Sequence, residues 1–168
     1  LVAFGVLQGA LHQVRPTERT AGEAARVPRR WSHALSQALE RATGGDLSRA
    51  RVLLEASTGR VYGVPALLGR AARELAALDR GEERPKVLLA GEIYVRLDAF
   101  ANGRVAEALK THSLRVVLEP ITEMLQYSEH QAWARGDRGG LRDHLERWVR
   151  ERIFGRCHGP AAEVFGWP

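Results

Sequence analysis

The feature that most constrains the fold is a change of hydrophobic pattern after residue 85. Residues 86–91 read KVLLAG, a short continuous apolar run, and residues 114–118 (LRVVL) form a second run that ends at Pro120. Such runs are typical of strands that are buried on both faces of a parallel sheet. Residues 100–112, between them, have the apolar spacing of a helix. The order strand, helix, strand predicts two parallel strands joined by a right-handed helical crossover.

The chain before residue 85 shows helical periodicity only. Apolar positions recur every three to four residues in four segments, and proline or glycine stands near their ends. These predicted helices cover residues 1–13, 28–43, 46–57 and 66–78, with Asp46 as a possible cap of the third. The polar stretch DRGEERP (79–85) then predicts a linker.

Two more amphipathic helices are predicted after the second strand, over residues 121–133 and 141–154, and the remaining residues 155–168 are predicted to be irregular. The predicted fold class is therefore α/β, a small parallel sheet flanked by helices. Residues 1–84 form a helical segment and residues 85–168 an α/β segment. Because 168 residues suffice for one well-buried core and hardly for two, we expect the segments to pack together as one domain.

Composition excludes several classes of function. The formal net charge of +5 comes from arginines interleaved with Glu and Asp, without helix-turn-helix or zinc-finger spacing. This pattern indicates a solvated surface or a small anionic ligand, such as a coenzyme A phosphate, and we expect no nucleic-acid partner. No apolar run approaches the roughly 18 residues that span a bilayer, so we expect a cytoplasmic protein with no membrane partner.

The cysteine and histidine content argues against a metal centre in this chain. Cys157 is alone, whereas an iron–sulfur cluster usually takes four thiolates. The histidines are dispersed without metal-ligand spacing, so no metal ligands are predicted. The adjacent pair Cys157-His158 is expected to be a bystander on a glycine-flanked loop. The chain starts at Leu1 without Met, and we expect it to be a piece of a longer protein.

The candidate site is the loop after the first strand, because ligands of open α/β sheets bind beyond the carboxyl ends of the strands. This segment reads GEIYVRLDAFANG, which matches neither the dinucleotide nor the P-loop fingerprint. It offers a glycine for close backbone approach, two carboxylates, a phenol, a cation and a helix-capping amide. The candidate ligand-binding residues are Gly91, Glu92, Tyr94, Arg96, Asp98 and Asn102.

A purely structural interpretation of the same loop stays open. Glu92 and Arg96 would form a local ion pair, and Tyr94 and Phe100 would pack on the edge of the sheet. Nothing in the spacing of these residues decides between this interpretation and a ligand site.

Two long runs, KVLLAGEIYVRLDAFANGRVAEAL and LRVVLEPITEMLQY, resemble the acyl-CoA dehydratase activase-related family, long bacterial proteins related to the 2-hydroxyacyl-CoA dehydratase subunits. The words GEIYVR and D-x-F-A-N are the most specific. LHQVRPTERTAG and YGVPALLGRAA are also similar to that family, so the resemblance covers most of the chain. It implies a Rossmann-like or flavodoxin-like sheet in a protein connected with iron–sulfur clusters and ATP-driven electron activation.

The resemblance carries over to the six candidate residues and, more weakly, to Glu119 after the second strand, and it assigns no catalytic residue. The cluster-ligating cysteines and the ATP-binding segment of the family have no counterpart here. We therefore expect no cofactor within this chain, no catalysis by it alone, and an iron–sulfur cluster and ATP only in a longer protein.

Two functions follow as expectations. In the first, the chain is a domain that helps to hold an acyl-CoA, or that frames a cluster held by other segments of the parent protein. In the second, it is a non-catalytic scaffold whose N-terminal helices present an apolar face to a partner domain.

Overall fold

The structure is a computed structural model, and it describes residues 2–44, 48–92, 94, 96, 98–136 and 140–167. It is mostly helical, with a small parallel sheet in the second half of the chain. In chain order its main elements are α1 (Val2–Val14), α2 (Arg26–Thr43), α3 (Arg49–Thr58), α4 (Val64–Leu78), β1 (Lys86–Leu89), α5 (Val105–Thr111), β2 (Arg115–Leu118), α6 (Ile121–Ala134) and α7 (Leu141–Phe165).

Helix α4 lies in the middle of the hydrophobic core. Its positions Leu68, Ala71 and Leu75 are spaced by three and four residues, so they share one face, and all three are fully buried. One part of the core adds Leu7 of α1 and Ala161 of α7 to this face, and a second part adds residues of α1 and α2. The core therefore combines helices from both halves of the sequence.

The sheet consists of β1 and β2 in parallel, in register from Lys86 opposite Arg115 to Leu89 opposite Leu118. Helix α5 connects them, as the strand, helix, strand pattern predicts. Strand β2 packs against α1 and contains the fully buried Val116, whereas Leu88 of β1 is largely exposed. A mostly helical chain with a two-stranded parallel sheet is compatible with the α/β class.

The predicted irregular end is wrong. Helix α7 continues through residues 155–165, past Pro160, and ends where Gly166 takes a left-handed conformation with φ +63°. The glycines and the proline disfavour a helix locally. Burial of Cys157 and Ala161 in the core outweighs that preference, and the pair Cys157-His158 therefore lies on a helix and not on a loop.

The helix predicted from residue 100 starts later than expected. The carboxylate of Asp98 accepts hydrogen bonds from the backbone N–H groups of Phe100 and Ala101, at 2.8 and 3.0 Å, and this closes a turn instead of a helix. Helix α5 begins after Arg104, which has φ +57° and makes no side-chain cap. Asn102 is therefore not the helix cap that its position suggested.

Other helix ends follow ordinary capping chemistry. The Ser48 hydroxyl accepts a hydrogen bond from the N–H of Arg51 at 3.3 Å and starts α3. The predicted cap Asp46 lies outside the described residues. In the described part of the chain, no helix has both the length and the apolar character needed to cross a membrane.

Candidate functional site

The carboxyl ends of β1 and β2 meet at one edge of the sheet. The N–H of Glu119, just after β2, donates to the carbonyl of Leu89 at 3.2 Å. The N–H of Gly91, just after β1, donates to the Glu119 carboxylate at 3.3 Å. Gly91 has φ +129°, a conformation that side chains disfavour, so glycine suits this sharp exit from the strand. The exit loop of β1 and the end of β2 are thereby tied together.

The side chain of Arg96 binds the backbone at this edge of the sheet. It is 4% exposed, and its Nη1 donates to the carbonyls of Glu119 at 2.7 Å and Pro120 at 3.3 Å. The same nitrogen lies 3.5 Å from the Glu119 carboxylate, whose charge compensates the buried guanidinium. Among the described residues, nothing accepts from its Nε. Arg96 therefore fixes the turn between β2 and α6.

A second carboxyl group completes the edge. Glu123 lies in the first turn of α6, and a hydrogen bond with the side chain of Glu119 raises its pKa above the usual value. Burial and the negative charge of Glu119 act in the same direction, while the charge of Arg96 opposes them. When Glu123 is protonated, the two carboxyl groups present both a hydrogen-bond donor and acceptors.

These groups line an open cavity of about 560 Å³, which we call the outer cavity. Its walls are formed by Ala90, Gly91, Arg96, Glu119, Glu123 and Tyr127. Two of the six predicted ligand-binding residues, Gly91 and Arg96, therefore reach it, and so does the weaker candidate Glu119. Two carboxyl groups face one guanidinium here, so the outer cavity is better suited to polar uncharged groups than to a phosphate.

The other four candidates lie outside the walls of the outer cavity. Glu92 is exposed and forms the start of a helical turn, with its carbonyl accepting from the N–H of Arg96 at 3.0 Å. Tyr94 is 71% exposed. Asp98 is occupied by the turn described above, and the backbone N–H of Asn102 donates to the carbonyl of Asp98 at 3.1 Å.

The structural interpretation of the loop also needs correction. Arg96 forms its ion pair with Glu119 and not with Glu92. Tyr94 and Phe100, at 71% and 96% exposure, do not pack on the sheet. The aromatic side chains of this loop face solvent and the cation is buried, which is the opposite of the usual preference.

A second cavity, of about 450 Å³, lies between α1, the sheet and the end of α7, and we call it the inner cavity. Glu119 and Glu123 line both cavities, so the carboxyl pair stands between them. Several polar residues that line the cavities were missed in the sequence: Gln13, Thr122, Glu123, Tyr127, His158 and Trp167. Gln13 did leave a signal, because it is a polar residue on the apolar stripe of α1.

The described residues give little support for a reactive thiol or for a metal site. Burial raises the pKa of Cys157 to about 11, so the group stays a protonated, unreactive thiol at neutral pH. Across residues that the structure describes, no group of three or more His, Cys, Asp or Glu side chains is placed to hold a metal ion.

Compared with family models, curated proteins and solved structures, the chain matches none. The two cavities and the carboxyl pair between them are therefore the features that indicate a function.

Proposed function

We propose that this chain is a domain of an acyl-CoA dehydratase activase-related protein, in which the outer cavity helps to hold an acyl-CoA beside a cluster that other segments supply. The observation that carries the proposal is the position of Arg96. This residue of the word GEIYVR is buried and braces the end of β2, next to a carboxyl pair and an open cavity. A site at the carboxyl ends of parallel strands is where α/β folds bind ligands.

The charge of the outer cavity indicates which part of an acyl-CoA it would take. The positive charge of Arg96 is compensated by Glu119, and the hydrogen bond with Glu119 raises the pKa of Glu123. Phosphates would gain little here, whereas a thioester carbonyl or an amide can exchange hydrogen bonds with a carboxyl pair. We therefore assign the thioester end of the ligand to the cavity and leave the nucleotide end in solvent.

We also propose that the sheet is the core of a Rossmann-like or flavodoxin-like sheet. Both strands are parallel and joined by a helix, and the second edge of β1 pairs with no strand among the described residues. Parallel sheets are normally larger and covered on both faces. Further strands beside β1 would complete the sheet in the parent protein.

Calorimetric titration with hexanoyl-CoA tests the binding proposal. The wild-type chain should bind saturably, and Tyr127→Ala, which removes an exposed wall of the outer cavity, should weaken binding about tenfold. Arg96→Ala should weaken it further, although this change also loosens the turn after β2. Leu141→Ala, a change at an exposed position on α7 that lines neither cavity, is the control and should bind as wild type. Equal affinity for wild type and Tyr127→Ala would remove the outer cavity from the binding site.

A non-catalytic scaffold is the second candidate, and exposed aromatic side chains favour it. Tyr94, Phe100 and Tyr127 all belong to segments that leave the carboxyl edge, and all three are largely exposed. Exposed aromatics of this kind mark protein interfaces. Among the N-terminal helices, α1 and α4 bury most of their apolar stripes in the core, whereas Leu39 of α2 and Leu54 of α3 are exposed. A scaffold would self-associate or bind protein in size-exclusion chromatography with light scattering and would give no heat with hexanoyl-CoA.

A further inference from the structure

The inner cavity has apolar walls built from three parts of the chain. Helix α1 contributes one wall, strands β1 and β2 a second, and the end of α7 a third. Among the apolar residues that line it are Val2, Val6, Leu88, Val117 and Leu118. Two glycines of α1, Gly5 and Gly9, also line it, and a Cβ at Gly9 would lie 3.3 Å from the ring of Trp167, so this ring packs closely on α1. A volume of about 450 Å³ is in the range of small-molecule sites.

Two buried polar side chains in these walls lack partners. Gln13 is 3% exposed and Thr122 is 8% exposed, and both line the cavity. Neither side chain has a hydrogen-bond partner among the residues that the structure describes, although buried amides and hydroxyls are nearly always bonded. Neither carries an oxygen or nitrogen that is both sealed from solvent and unpaired, so their polar groups remain reachable from the cavity. A ligand in the inner cavity could therefore form hydrogen bonds with the side chains of Gln13 and Thr122.

The electrostatics of the inner cavity select against an anion. None of the described residues that line it is Lys or Arg. Burial lowers the pKa of His158, so this imidazole is neutral at physiological pH. The carboxyl groups of Glu119 and Glu123 also line it, and the one nearby cation, Arg96, pairs with Glu119. A free carboxylate or a phosphate would therefore lose its hydration without gaining a cation.

We propose that the inner cavity binds a neutral, elongated, mostly apolar molecule that carries an amide, ester or thioester group, with Gln13 and Thr122 bonding that group. The apolar part of the molecule would lie along α1 and the sheet. The proposal does not rest on the proposed function, because it concerns a different cavity and requires no coenzyme A.

The test uses S-hexanoyl-N-acetylcysteamine, a neutral thioester that lacks the nucleotide, in calorimetric titration of the whole chain. We expect saturable binding, and we expect hexanoate, its anionic counterpart, to bind at least tenfold more weakly. Gln13→Leu keeps the size of the side chain and removes the amide, so it should weaken thioester binding about tenfold. It should leave the thermal midpoint unchanged or raise it, because it removes an unpartnered buried amide.

Gln37→Leu is the matched control. Gln37 is exposed on α2 and bonds the ring of His33, so this variant should bind the thioester as wild type does. Val117→Phe, which places a larger side chain in the cavity, should abolish binding of the thioester. This second variant keeps the proposal testable if Gln13→Leu folds poorly.

Three results would overturn the proposal. They are equal thioester affinity of Gln13→Leu and wild type, equal affinity of wild type for hexanoate and the thioester, and absence of binding up to the solubility limit of the probe. In the last case the inner cavity holds only water. Hexanoyl-CoA binding that depends on Tyr127, together with no binding of the neutral thioester, would support the outer cavity while rejecting the inner one.

Discussion

His12 is partly buried on α1, and no acidic partner is strong enough to keep it charged. Burial lowers its pKa from 6.5 to about 4, the nearby charge of Arg15 adds to this, and Glu107 opposes it. The unfolded chain takes up a proton near pH 6.5, whereas the folded chain does so only near pH 4. Between these values the unfolded state binds more protons, so stability is full above pH 6.5 and falls as the pH decreases through this window.

His12→Leu should remove much of this pH dependence. From pH 7 to pH 5 the wild type should lose about 2 kcal/mol of unfolding free energy at His12, with a further loss in the same direction from His158. Urea unfolding at pH 7, 6 and 5 measures the slope, and the difference between the two proteins cancels the contribution of carboxyl groups that begin to titrate near pH 5. His33→Leu, at an exposed position, should keep the wild-type slope. An unchanged slope in His12→Leu would mean that His12 is hydrated in the folded state.

At the scale of elements, local patterns predicted where most helices and both strands lie but not the length of α7. Hydrophobic spacing is a property of neighbouring residues, so it locates α4 and β1 to within a few residues. The continuation of α7 past residue 154 depends on contacts with α4, more than 80 residues earlier in the chain. A Cβ at Gly69 of α4 would lie 3.2 Å from the Cβ of Pro160, which shows how closely the two helices approach.

Gly69→Leu should therefore separate α4 from α7. We expect it to lower the free energy of unfolding by about 2 kcal/mol, because a larger side chain in a packed interface forces both helices to shift. Gly155→Leu is the matched control, since a Cβ at Gly155 of α7 meets nothing within 4 Å and helix propensity improves. Thermal and urea unfolding compare the two variants. Equal stability of both would show that the contact at Gly69 is loose.

The residues of the candidate site likewise differ in whether the sequence could predict them. Gly91 and Arg96 could be predicted, because a polar segment directly after a parallel strand lies at the carboxyl edge of the sheet, although β1 itself is less buried than its apolar run predicts. Glu119 follows from the end of β2 for the same reason. Gln13, Thr122 and Trp167 come from three distant elements, and only tertiary packing brings them to one cavity. The burial of Arg96 depends on the carbonyls after β2, which no pattern within GEIYVR specifies.

At the scale of the molecule, polar contacts join the predicted helical and α/β segments beside the shared core. Arg15 bonds Glu107 of α5, and Lys110 lies 3.4 Å from Glu18. Arg115 at the start of β2 reaches Asp79 at the end of α4. Burial alone would raise the pKa of Asp79, but hydrogen bonds from Thr17, Arg115 and Gly81 lower it below 3.8. The charged form of Asp79 therefore stabilises the folded chain.

Arg115→Met should show how much this junction contributes. The guanidinium donates to both oxygens of Asp79, at 2.9 and 3.2 Å, and to the carbonyl of Glu82 at 2.8 Å. Its loss leaves a mostly buried carboxylate with fewer donors, and we expect about 2 kcal/mol less stability at neutral pH. Because the folded pKa of Asp79 is depressed, its contribution is present above pH 3.8 and is lost as the pH falls further, so the difference from wild type should shrink there.

A double-mutant cycle with Asp79→Asn isolates the pair from the other contacts of Arg115. The two single changes should each destabilise the chain, and the double variant should be more stable than the sum of their effects predicts. Arg142→Met breaks the exposed pair with Glu146 on α7 and should leave urea unfolding unchanged. Strictly additive effects at Arg115 and Asp79 would mean that this ion pair does not contribute to holding the two segments together.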